Sequence, residues 1–298
     1  MNATPRISVV MPVYNRAGLV ERALRSVLAQ SFADFELIVV DDGSTDALAQ
    51  ALERFRGPRL RLVRHERNQG IAAARNTGVQ EARSACVAFI DSDDEWLPEM
   101  LGRLHARLEV GLPERSLALS GFYLERDRLG RREARPLPEA ADWYLRLLAG
   151  CNVSLGSCAL ISRSTFDEIG PFDQQMRRFE DWDWLLRYTS RRPIASIEEP
   201  LAVIHSGGGW PSAEEVERAA RQVWERHGAA AARHSSAARR LLLSTLCYER
   251  AAALHRARRP AAALSPLFRS ILIHPWRGLG FYRHLLRRAA DLSRGRFG

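Results

Sequence analysis

Short apolar runs alternate with segments of helical periodicity through the first 90 or so residues of the chain. The apolar runs are rich in Val, Ile and Leu and are bounded by Pro, Asn or Asp, which is typical of buried β-strands. The segments between them repeat apolar residues every three or four positions, as amphipathic helices do. This pattern predicts strands at 7–15, 35–40, 60–65 and 87–90, and helices at 16–31, 47–55 and 71–82.

The order of these elements predicts an α/β fold with a doubly wound, mostly parallel central sheet flanked by helices. Ligands of such sheets bind at the carboxyl ends of the strands. Polar residues follow three of those ends: Tyr and Asn at 14–15, two Asp at 41–42, and Asp-Ser-Asp-Asp at 91–94. We therefore expect these three groups to line one site.

The acidic group at 91–94 places three carboxylates within four residues. Adjacent carboxylates repel each other, and a hard cation such as Mg²⁺ or Mn²⁺ would relieve that repulsion. The alternative is an acidic turn that caps the following helix, because Asp is a favoured N-cap residue. The meeting of three strand ends favours the metal, and Asp94 is the residue that we assign to the cap.

The remaining chain contains further strands and helices and then becomes wholly helical. Helices are predicted at 98–108, 140–150, 164–170 and from 179, and strands at 117–125, 157–161, 194–199 and 201–205, with a loop or hairpin tip at 126–135. From residue 212 the pattern is helical and rich in Arg, with breaks predicted at Gly228, Pro260, Pro266 and Pro275. We place an organisational boundary near residue 211.

Composition is that of a soluble globular protein, with 46% hydrophobic and 27% charged residues among 298. The sequence has no apolar run near the ~18 residues that a spanning helix needs, and its first residues lack the apolar core of a signal peptide. Four scattered cysteines are expected to be buried, reduced thiols. These features predict a cytoplasmic protein.

The net charge of +9 is concentrated in the C-terminal part of the chain. Residues 212–298 contain 17 Arg and six acidic residues, whereas residues 1–211 have a net charge of −2. Arg and aromatic residues mix at 274–288, so this part could lie on an anionic membrane surface. The alternative is packing on the catalytic domain with a solvated Arg face. Nucleic acid is not an expected partner, because no nucleic-acid-binding motif is present.

Five groups of motifs occur in a fixed order between residues 5 and 210. They are Pro-Val-Tyr-Asn at 12–15, Asp-Asp-Gly-Ser-Thr-Asp at 41–46, Asn-Gln-Gly at 68–70 with Ala-Arg-Asn-Thr-Gly at 74–78, Asp-Ser-Asp-Asp at 91–94, and Gly-Pro-Phe-Asp at 170–173 with Glu-Asp-Trp-Asp at 180–183. In this order the chain resembles the family 2 glycosyltransferases. The resemblance implies a GT-A fold and an inverting transfer of a sugar from a nucleotide diphosphate donor to a hydroxyl group.

The resemblance also implies a division of the chain. Residues 1–211 would form the GT-A catalytic domain, with a nucleotide-sugar half at about 1–100 and an acceptor half at about 101–211, and residues 212–298 a basic helical extension. The Q-x-x-R-W motif of processive synthases is absent from the sequence. We therefore expect a non-processive enzyme.

Several residues match positions of the family that bind the donor. Asp42 matches the acid that binds the base, usually uracil, so a UDP-sugar is favoured; the alternative is that Asp41 and Asp42 cap the next helix. Arg75 matches a position near the nucleotide, and its alternative is a surface ion pair. The complete set assigned to the nucleotide sugar is Pro12, Tyr14, Asn15, Asp42, Arg75, Asp91 and Ser92.

Three residues are candidates for holding Mn²⁺ or Mg²⁺. The resemblance implies that Asp93 ligates the metal and that Asp91 reaches the ribose or the metal shell. His205 stands where many relatives carry a His near the metal or the diphosphate. A single His is also common as a structural residue, so both roles for His205 remain open.

The resemblance assigns the catalytic base to Asp181. An inverting displacement needs a carboxylate that takes the proton of the attacking hydroxyl, whereas the local alternative is ordinary helix-start chemistry. Glu180 would orient the acceptor or favour the helix dipole. Among the aromatic candidates for sugar stacking, Trp182 remains open, Trp184 is expected in the core, and Trp210 is the preferred sugar contact.

The expected acceptor is a glycan or a lipid-linked component of the cell envelope. An enzyme acting on such an acceptor would lie at the inner face of the cell membrane. The alternative function is a non-catalytic sugar-binding or assembly module on the same fold, which the presence of Asp42, Asp93 and Asp181 together disfavours.

Overall fold

The computed structural model describes residues 4–110, 116–125, 131–205 and 211–275. These residues divide into two compact units. The first consists of the described residues between 4 and 147 and between 151 and 205, and the second of 148–150 and 211–275. The functional division of the chain near residue 211 stays a prediction.

The first unit is built on a single mixed sheet. Its strands are β1 (Ile7–Val13), β2 (Phe35–Asp41), β3 (Leu60–Arg64), β4 (Cys86–Phe89), β5 (Glu95–Trp96), β6 (Leu117–Glu125), β7 (Arg132–Arg135), β8 (Ala159–Ser162) and β9 (Ala195–His205). Among the described residues these nine strands follow the order β3-β2-β1-β4-β8-β6-β9-β5, and β7 pairs with β6. The α/β fold class is confirmed.

Helices flank the sheet and make up most of the second unit. They are α1 (Val20–Leu28), α2 (Leu48–Glu53), α3 (Ile71–Glu81), α4 (Met100–Glu109), α5 (Trp143–Leu148), α6 (Leu155–Cys158), α7 (Ser164–Ile169), α8 (Glu180–Thr189), α9 (Ala213–His234), α10 (Ser236–Arg256) and α11 (Pro260–Ile273). None of the described helices combines the length and the hydropathy that a membrane-spanning segment needs.

The first four strands of the path are parallel, as the sequence predicts. Every residue of β1 and β2 is buried, which explains why both strands are continuous apolar runs. The register pairs Val13 with Asp41 and Val10 with Phe89, so the carboxyl ends of β1, β2 and β4 meet at one edge. This edge carries the three polar groups at 14–15, 41–42 and 91–94.

Beyond β4 the sheet becomes mixed, a feature that the pattern of apolar runs does not reveal. Strand β8 is antiparallel to both β4 and β6, and β5 is antiparallel to β9. Strands β6 and β9 pair in parallel with a shift of register around Gly121. A Cβ at Gly121 would lie 2.7 Å from the carbonyl oxygen of Glu198, so only glycine fits at this shift.

Several element boundaries differ from the prediction. Strand β8 begins at Ala159, and Ser157 instead lies in the short helix α6. The two strands predicted at 194–199 and 201–205 form the single strand β9. Helix α9 continues through Gly228 and α11 through Pro266, so neither residue ends a helix. Residues 126–130 lie outside the described part of the chain, but β7 forms the expected hairpin with β6.

Candidate active site

A cavity of about 370 Å³ lies at the edge where β1, β2 and β4 end. Its walls include six residues that the sequence assigns to the donor or to a metal: Pro12, Tyr14, Asp42, Asp91, Ser92 and Asp93. Arg16, Asn68, Ile71 and Ala74 also line it. The predicted residues Asn15, Arg75, Glu180, Asp181 and His205 do not line this cavity, and each has the surroundings given below.

Asp42 is buried, and the end of the loop before α3 binds its carboxylate. Its Oδ1 accepts a hydrogen bond from the Gln69 backbone N–H at 2.9 Å and lies 2.7 Å from Nδ1 of His65. Its Oδ2 accepts a hydrogen bond from the Gly70 backbone N–H at 2.8 Å. A carboxylate has about four acceptor positions, so one position remains for a ligand N–H.

Neither Asp41 nor Asp42 caps α2. Asp41 Oδ1 accepts the hydrogen bond of the Ser44 backbone N–H at 2.8 Å within the turn that follows β2. The N-cap residue of α2 is Ala47, which has no side-chain cap. The alternative interpretation of this acidic pair as a helix cap is therefore wrong.

Asn15 joins the loop after β1 to the loop after β2. Its Oδ1 accepts a hydrogen bond from the Thr45 backbone N–H at 2.8 Å, and its own N–H donates to Ser44 Oγ at 3.0 Å. The backbone of Asn15 has a φ of +50°, in the left-handed region that Asn tolerates better than most residues. These contacts support the wall of the cavity, and a direct contact between Asn15 and the donor stays a prediction.

Arg75 connects the end of β4 to the start of α8. Its side chain is 3% exposed, and its Nη2 donates to Asp91 Oδ1 at 2.9 Å while its Nη1 donates to Glu180 Oε1 at 2.9 Å. The Nε of Arg75 is buried and has no hydrogen-bond partner among the residues that the structure describes. The alternative of a surface ion pair is wrong, because this pair is buried, and a contact between Arg75 and the donor stays a prediction.

Burial and neighbouring charges shift the pKa values of Asp91, Glu180 and Arg75. Burial raises the pKa of Asp91 above its ordinary value, and the negative charges of Asp93 and Asp181 add to the rise that Arg75 opposes. Burial and the neighbouring charge of Asp181 raise the pKa of Glu180 to about 7. Burial tends to lower the pKa of Arg75, but the carboxylates of Asp91 and Glu180 outweigh it and raise that pKa.

Asp94 is buried and holds the end of β4 against two other elements of the first unit. Ser157 of α6 donates its hydroxyl hydrogen to Asp94 Oδ2, and the His205 backbone N–H donates to Asp94 Oδ1 at 3.0 Å. Burial, together with the charge of Asp91, raises the pKa of Asp94 well above its ordinary value. The predicted helix-cap role is wrong, because β5 follows at once and the N-cap residue of α4 is Glu99.

The carboxylate of Asp93 is 20% exposed and faces the cavity. Arg16 Nη1 donates to its Oδ2 at 2.8 Å, and Arg22 donates to its backbone carbonyl. Among the described residues, no three or more His, Cys, Asp or Glu are grouped as a metal site. Mg²⁺ commonly binds through one or two carboxylates plus the phosphates of a substrate, and the oxygens of Asp91 and Asp93 fit a site of that kind.

His205, at the end of β9, lies between two carboxylates. Its Nε2 is 2.8 Å from Glu95 Oε1 and its Nδ1 is 3.2 Å from Glu125 Oε1. One of these contacts would have to break before His205 could ligate a metal. They favour the structural alternative, and the metal-ligand role of His205 stays a prediction.

Asp181 is the second residue of α8 and follows Glu180 directly. Its side chain is half-buried, and its Oδ1 accepts a hydrogen bond from the Trp182 backbone N–H at 2.7 Å. Its charge acts on Asp91, Arg75 and Glu180, which puts it in the same electrostatic group as the donor-side acids. Its role as a base stays a prediction.

The two tryptophans of α8 belong to the core. Trp184 is buried and its Nε1 donates to the Gly170 carbonyl at 2.9 Å, as expected for a core residue. Trp182 is also buried, and its Nε1 donates to the Leu147 carbonyl at 2.9 Å. Stacking of Trp182 on a sugar is therefore excluded in this structure, and Trp210 lies outside the described residues.

Sequence reasoning missed two residues that hold the site. His65 bridges Asp42 and the Thr77 hydroxyl, to which its Nε2 is 2.9 Å distant. The parallel register that pairs Asp41 with Arg64 puts the next residues of both strands, Asp42 and His65, side by side. Arg16, which binds Asp93, directly follows the Tyr-Asn pair at 14–15 and could have been found from that position.

Comparison with known proteins identifies the same family along most of the first unit. The family model described as "Glycosyl transferase family 2" matches residues 8–170. A protein of Escherichia coli (strain K12), WcaA, named as a colanic acid biosynthesis glycosyl transferase, is 28% identical over 212 residues, which cover 70% of this chain and 75% of WcaA.

Solved structures with low sequence identity have the same fold. S. aureus TarS in complex with UDP-GlcNAc is similar with a TM-score of 0.60 at 18% identity, over 94% of this chain and 92% of that one. The mannosyltransferase PcManGT from Pyrobaculum calidifontis, in complex with GDP-Man and Mn²⁺, has a TM-score of 0.60 at 21% identity, over 97% and 87%. The GT-A fold is thereby confirmed, and with the family match over more than half of its length the chain belongs to glycosyl transferase family 2.

Proposed function

We propose that this glycosyltransferase moves a sugar, with inversion, from a nucleotide diphosphate donor to a hydroxyl group of a glycan or lipid-linked cell-envelope acceptor. One observation carries the proposal: the buried guanidinium of Arg75 joins the donor-side acid Asp91 to Glu180 at the helix start that also bears Asp181. The names of the relatives support the substrate classes, because WcaA is named for colanic acid biosynthesis and the structure of TarS contains UDP-GlcNAc.

In the proposed reaction, Asp181 is the general base. Its carboxylate takes the proton of the acceptor hydroxyl as that oxygen attacks the anomeric carbon on the face opposite the diphosphate. The bond from the anomeric carbon to the diphosphate oxygen breaks, and the nucleoside diphosphate leaves. Glu180, whose pKa of about 7 keeps it partly protonated at neutral pH, would present either a donor or an acceptor to the incoming acceptor molecule.

The donor would bind in the cavity at the edge of the sheet. Asp42 would accept the imide N–H of uracil at its remaining acceptor position, and Tyr14, which is 44% exposed, offers a ring face at the cavity wall. A divalent cation held by Asp93, with Asp91 beside it, would neutralise charge on the diphosphate leaving group. When such a cation binds to Asp93, the hydrogen bond from Arg16 to the Asp93 carboxylate would be broken.

Asp181→Asn tests the base. We expect transfer to fall by about 10²- to 10⁴-fold, since an amide cannot take the proton, while the Kd of the donor stays close to that of the parent. Radiolabelled or coupled transfer assays and calorimetric donor titration measure the two quantities. Asp167→Asn, an exposed Asp on α7 of the same unit, is the matched control. Unchanged turnover in Asp181→Asn would remove Asp181 from the role of base.

Asp93→Ala tests the cation. We expect the parent to bind a UDP-sugar more tightly with Mn²⁺ than with a chelator, and the variant to bind it equally in both conditions, because the ligand oxygens of Asp93 are gone. Titration calorimetry of UDP-, GDP- and dTDP-sugars with and without Mn²⁺ measures this and also identifies the nucleotide. Asp34→Ala, an exposed Asp before β2, is the control. Full activity of the parent under chelation would contradict the proposed cation.

A further inference from the structure

Helix α11 of the second unit carries an apolar stripe that the described residues of that unit leave uncovered. Leu264, Phe268 and Leu272 are 65%, 64% and 66% exposed. Their spacing of four residues puts them on one helix face about 12 Å long, since each residue rises 1.5 Å. Among the described residues of the second unit, these are the large hydrophobic side chains with such exposure.

The opposite face of α11 is fixed against α10, so the stripe cannot turn inward. Ser244 Oγ donates to the Ser270 carbonyl at 2.9 Å, and Ser270 Oγ donates to the Ser244 carbonyl at 2.8 Å. Both serines are buried, as is Ala263 on the same side of the helix. These reciprocal bonds set the rotation of α11 and hold its three large apolar side chains outward.

The surroundings of the stripe are basic. Helix α11 contains no acidic residue, and Arg258 and Arg269 at its start and flank are exposed. Over residues 251–298 the sequence has ten Arg and one acidic residue, Asp291. A second copy paired through the same stripe would bring its own Arg258 and Arg269 against these arginines, and the sequence after residue 275 adds six Arg and one acidic residue. An anionic surface complements them.

We propose that the stripe formed by Leu264, Phe268 and Leu272 inserts into the surface of a membrane that contains anionic lipids. The apolar side chains enter the boundary between headgroups and acyl chains, and Arg258 and Arg269 bind lipid phosphates. A helix attached in this way lies in the plane of the membrane surface and does not span the membrane. This attachment requires neither donor nor acceptor, so it stands or falls independently of the proposed transfer reaction.

The test is flotation of the full-length protein with vesicles of phosphatidylcholine alone or with added phosphatidylglycerol, without any nucleotide sugar. We expect binding to the phosphatidylglycerol vesicles that weakens as salt rises. The triple variant Leu264→Ser, Phe268→Ser, Leu272→Ser should lose about tenfold or more of its partition coefficient, because the inserted apolar area is gone. The single variant Phe268→Ser should show a smaller loss in the same direction.

Matched variants separate the stripe from general surface effects. Leu62→Ser with Val110→Ser removes exposed apolar side chains from the first unit and should leave vesicle binding unchanged. Arg258→Gln with Arg269→Gln should weaken binding to anionic vesicles and reduce its dependence on salt. Equal binding by the triple variant and the parent, or no binding by the parent at low salt, would overturn the proposal. So would a parent dimer that the triple variant converts to monomer without any loss of lipid binding.

Discussion

A single buried guanidinium organises the charged residues of the candidate site. Arg75 neutralises Asp91 and Glu180, which are 16 and 105 positions away in the sequence, and both hydrogen bonds measure 2.9 Å. Without this cation, the buried carboxylate of Glu180 and the half-buried carboxylate of Asp91 would lack a counter-charge, at a cost of a few kcal/mol. Arg75 therefore acts as a fixed link between the two groups.

The raised pKa of Glu180 makes stability depend on pH. Its pKa is about 7 in the folded chain, against an ordinary value of 4.5, so the folded state binds this proton more tightly than the unfolded chain does. The resulting stabilisation is complete below pH 4.5 and is lost as pH rises through 7. Since Glu180→Gln cannot ionise, the unfolding free energy of the variant minus that of the parent should increase by about 3 kcal/mol between about pH 4.5 and 7.5.

Urea unfolding of both proteins at several pH values, with no nucleotide or metal present, measures that difference. Glu168→Gln, an exposed acid on α7, should give a difference that does not vary across the same range. If the difference in unfolding free energy between Glu180→Gln and the parent is the same at every pH, the pKa of Glu180 is not raised in the folded chain.

At this scale the sequence predicted six of the residues that line the cavity, but not how they are held. Asp42, Asp91 and Asp93 follow strand ends, and the parallel order brings strand ends together. The partner that Arg75 finds in α8, Glu180, is 105 positions away in the sequence. The partners of Asp94, Ser157 in α6 and His205 in β9, are 63 and 111 positions away. Hydrogen bonds over such separations leave no periodic pattern in the sequence.

The pairing of β6 with β9 shows how one strand is shaped by two residues. Gly121 and Pro200 face each other where the register shifts. Proline has no N–H for a ladder bond, and a shift of register is a place within a sheet where that loss is tolerated. The prediction that Pro200 separates two strands was therefore wrong, because the irregularity accommodates it within one.

Gly121→Ala tests this shift. Its Cβ would lie 2.7 Å and 2.8 Å from the backbone oxygens of Glu198 and Arg135, so the strands must move apart. We expect a loss of about 1–3 kcal/mol of unfolding free energy in denaturant titrations. Gly18→Ala, where nothing lies within 4 Å of the added atom, should change stability little. Equal stability of the Gly121 variant and the parent would mean that the backbone at this shift yields freely.

Elsewhere, tertiary packing outweighed local propensity. Gly228 is buried inside α9, and the ring of Trp224 lies 3.3 Å from where its Cβ would stand, so a small residue serves close packing there rather than ending the helix. The strands β1 and β2 were predictable because their burial on both faces makes each a continuous apolar run. The strand predicted at 157–161 covered three of the four residues of β8 and began two residues early, inside α6.

At the scale of the whole chain, the candidate site and the excess of positive charge belong to different segments. The candidate site lies in the unit that contains the sheet, whereas the excess of arginine belongs to residues 212–298, with a net charge of +11. The order of motifs along residues 5–210 was sufficient to predict the GT-A fold. The exposed stripe on α11 was not predicted, since a Leu or Phe every fourth residue is also the pattern of a packed helix.

The parallel pairing of β6 and β9 also bears on how the chain folds. Ala118 pairs with Ala195, 77 positions later, so the sheet cannot be completed until everything between them has been synthesised and positioned. Contacts of such long sequence separation slow folding, because a large loop must close before they form. Helix α8, which carries Glu180 and Asp181, lies inside that loop. The part of the site that α8 contributes would thus be among the last features to assemble, well after β1, β2 and β3 have paired.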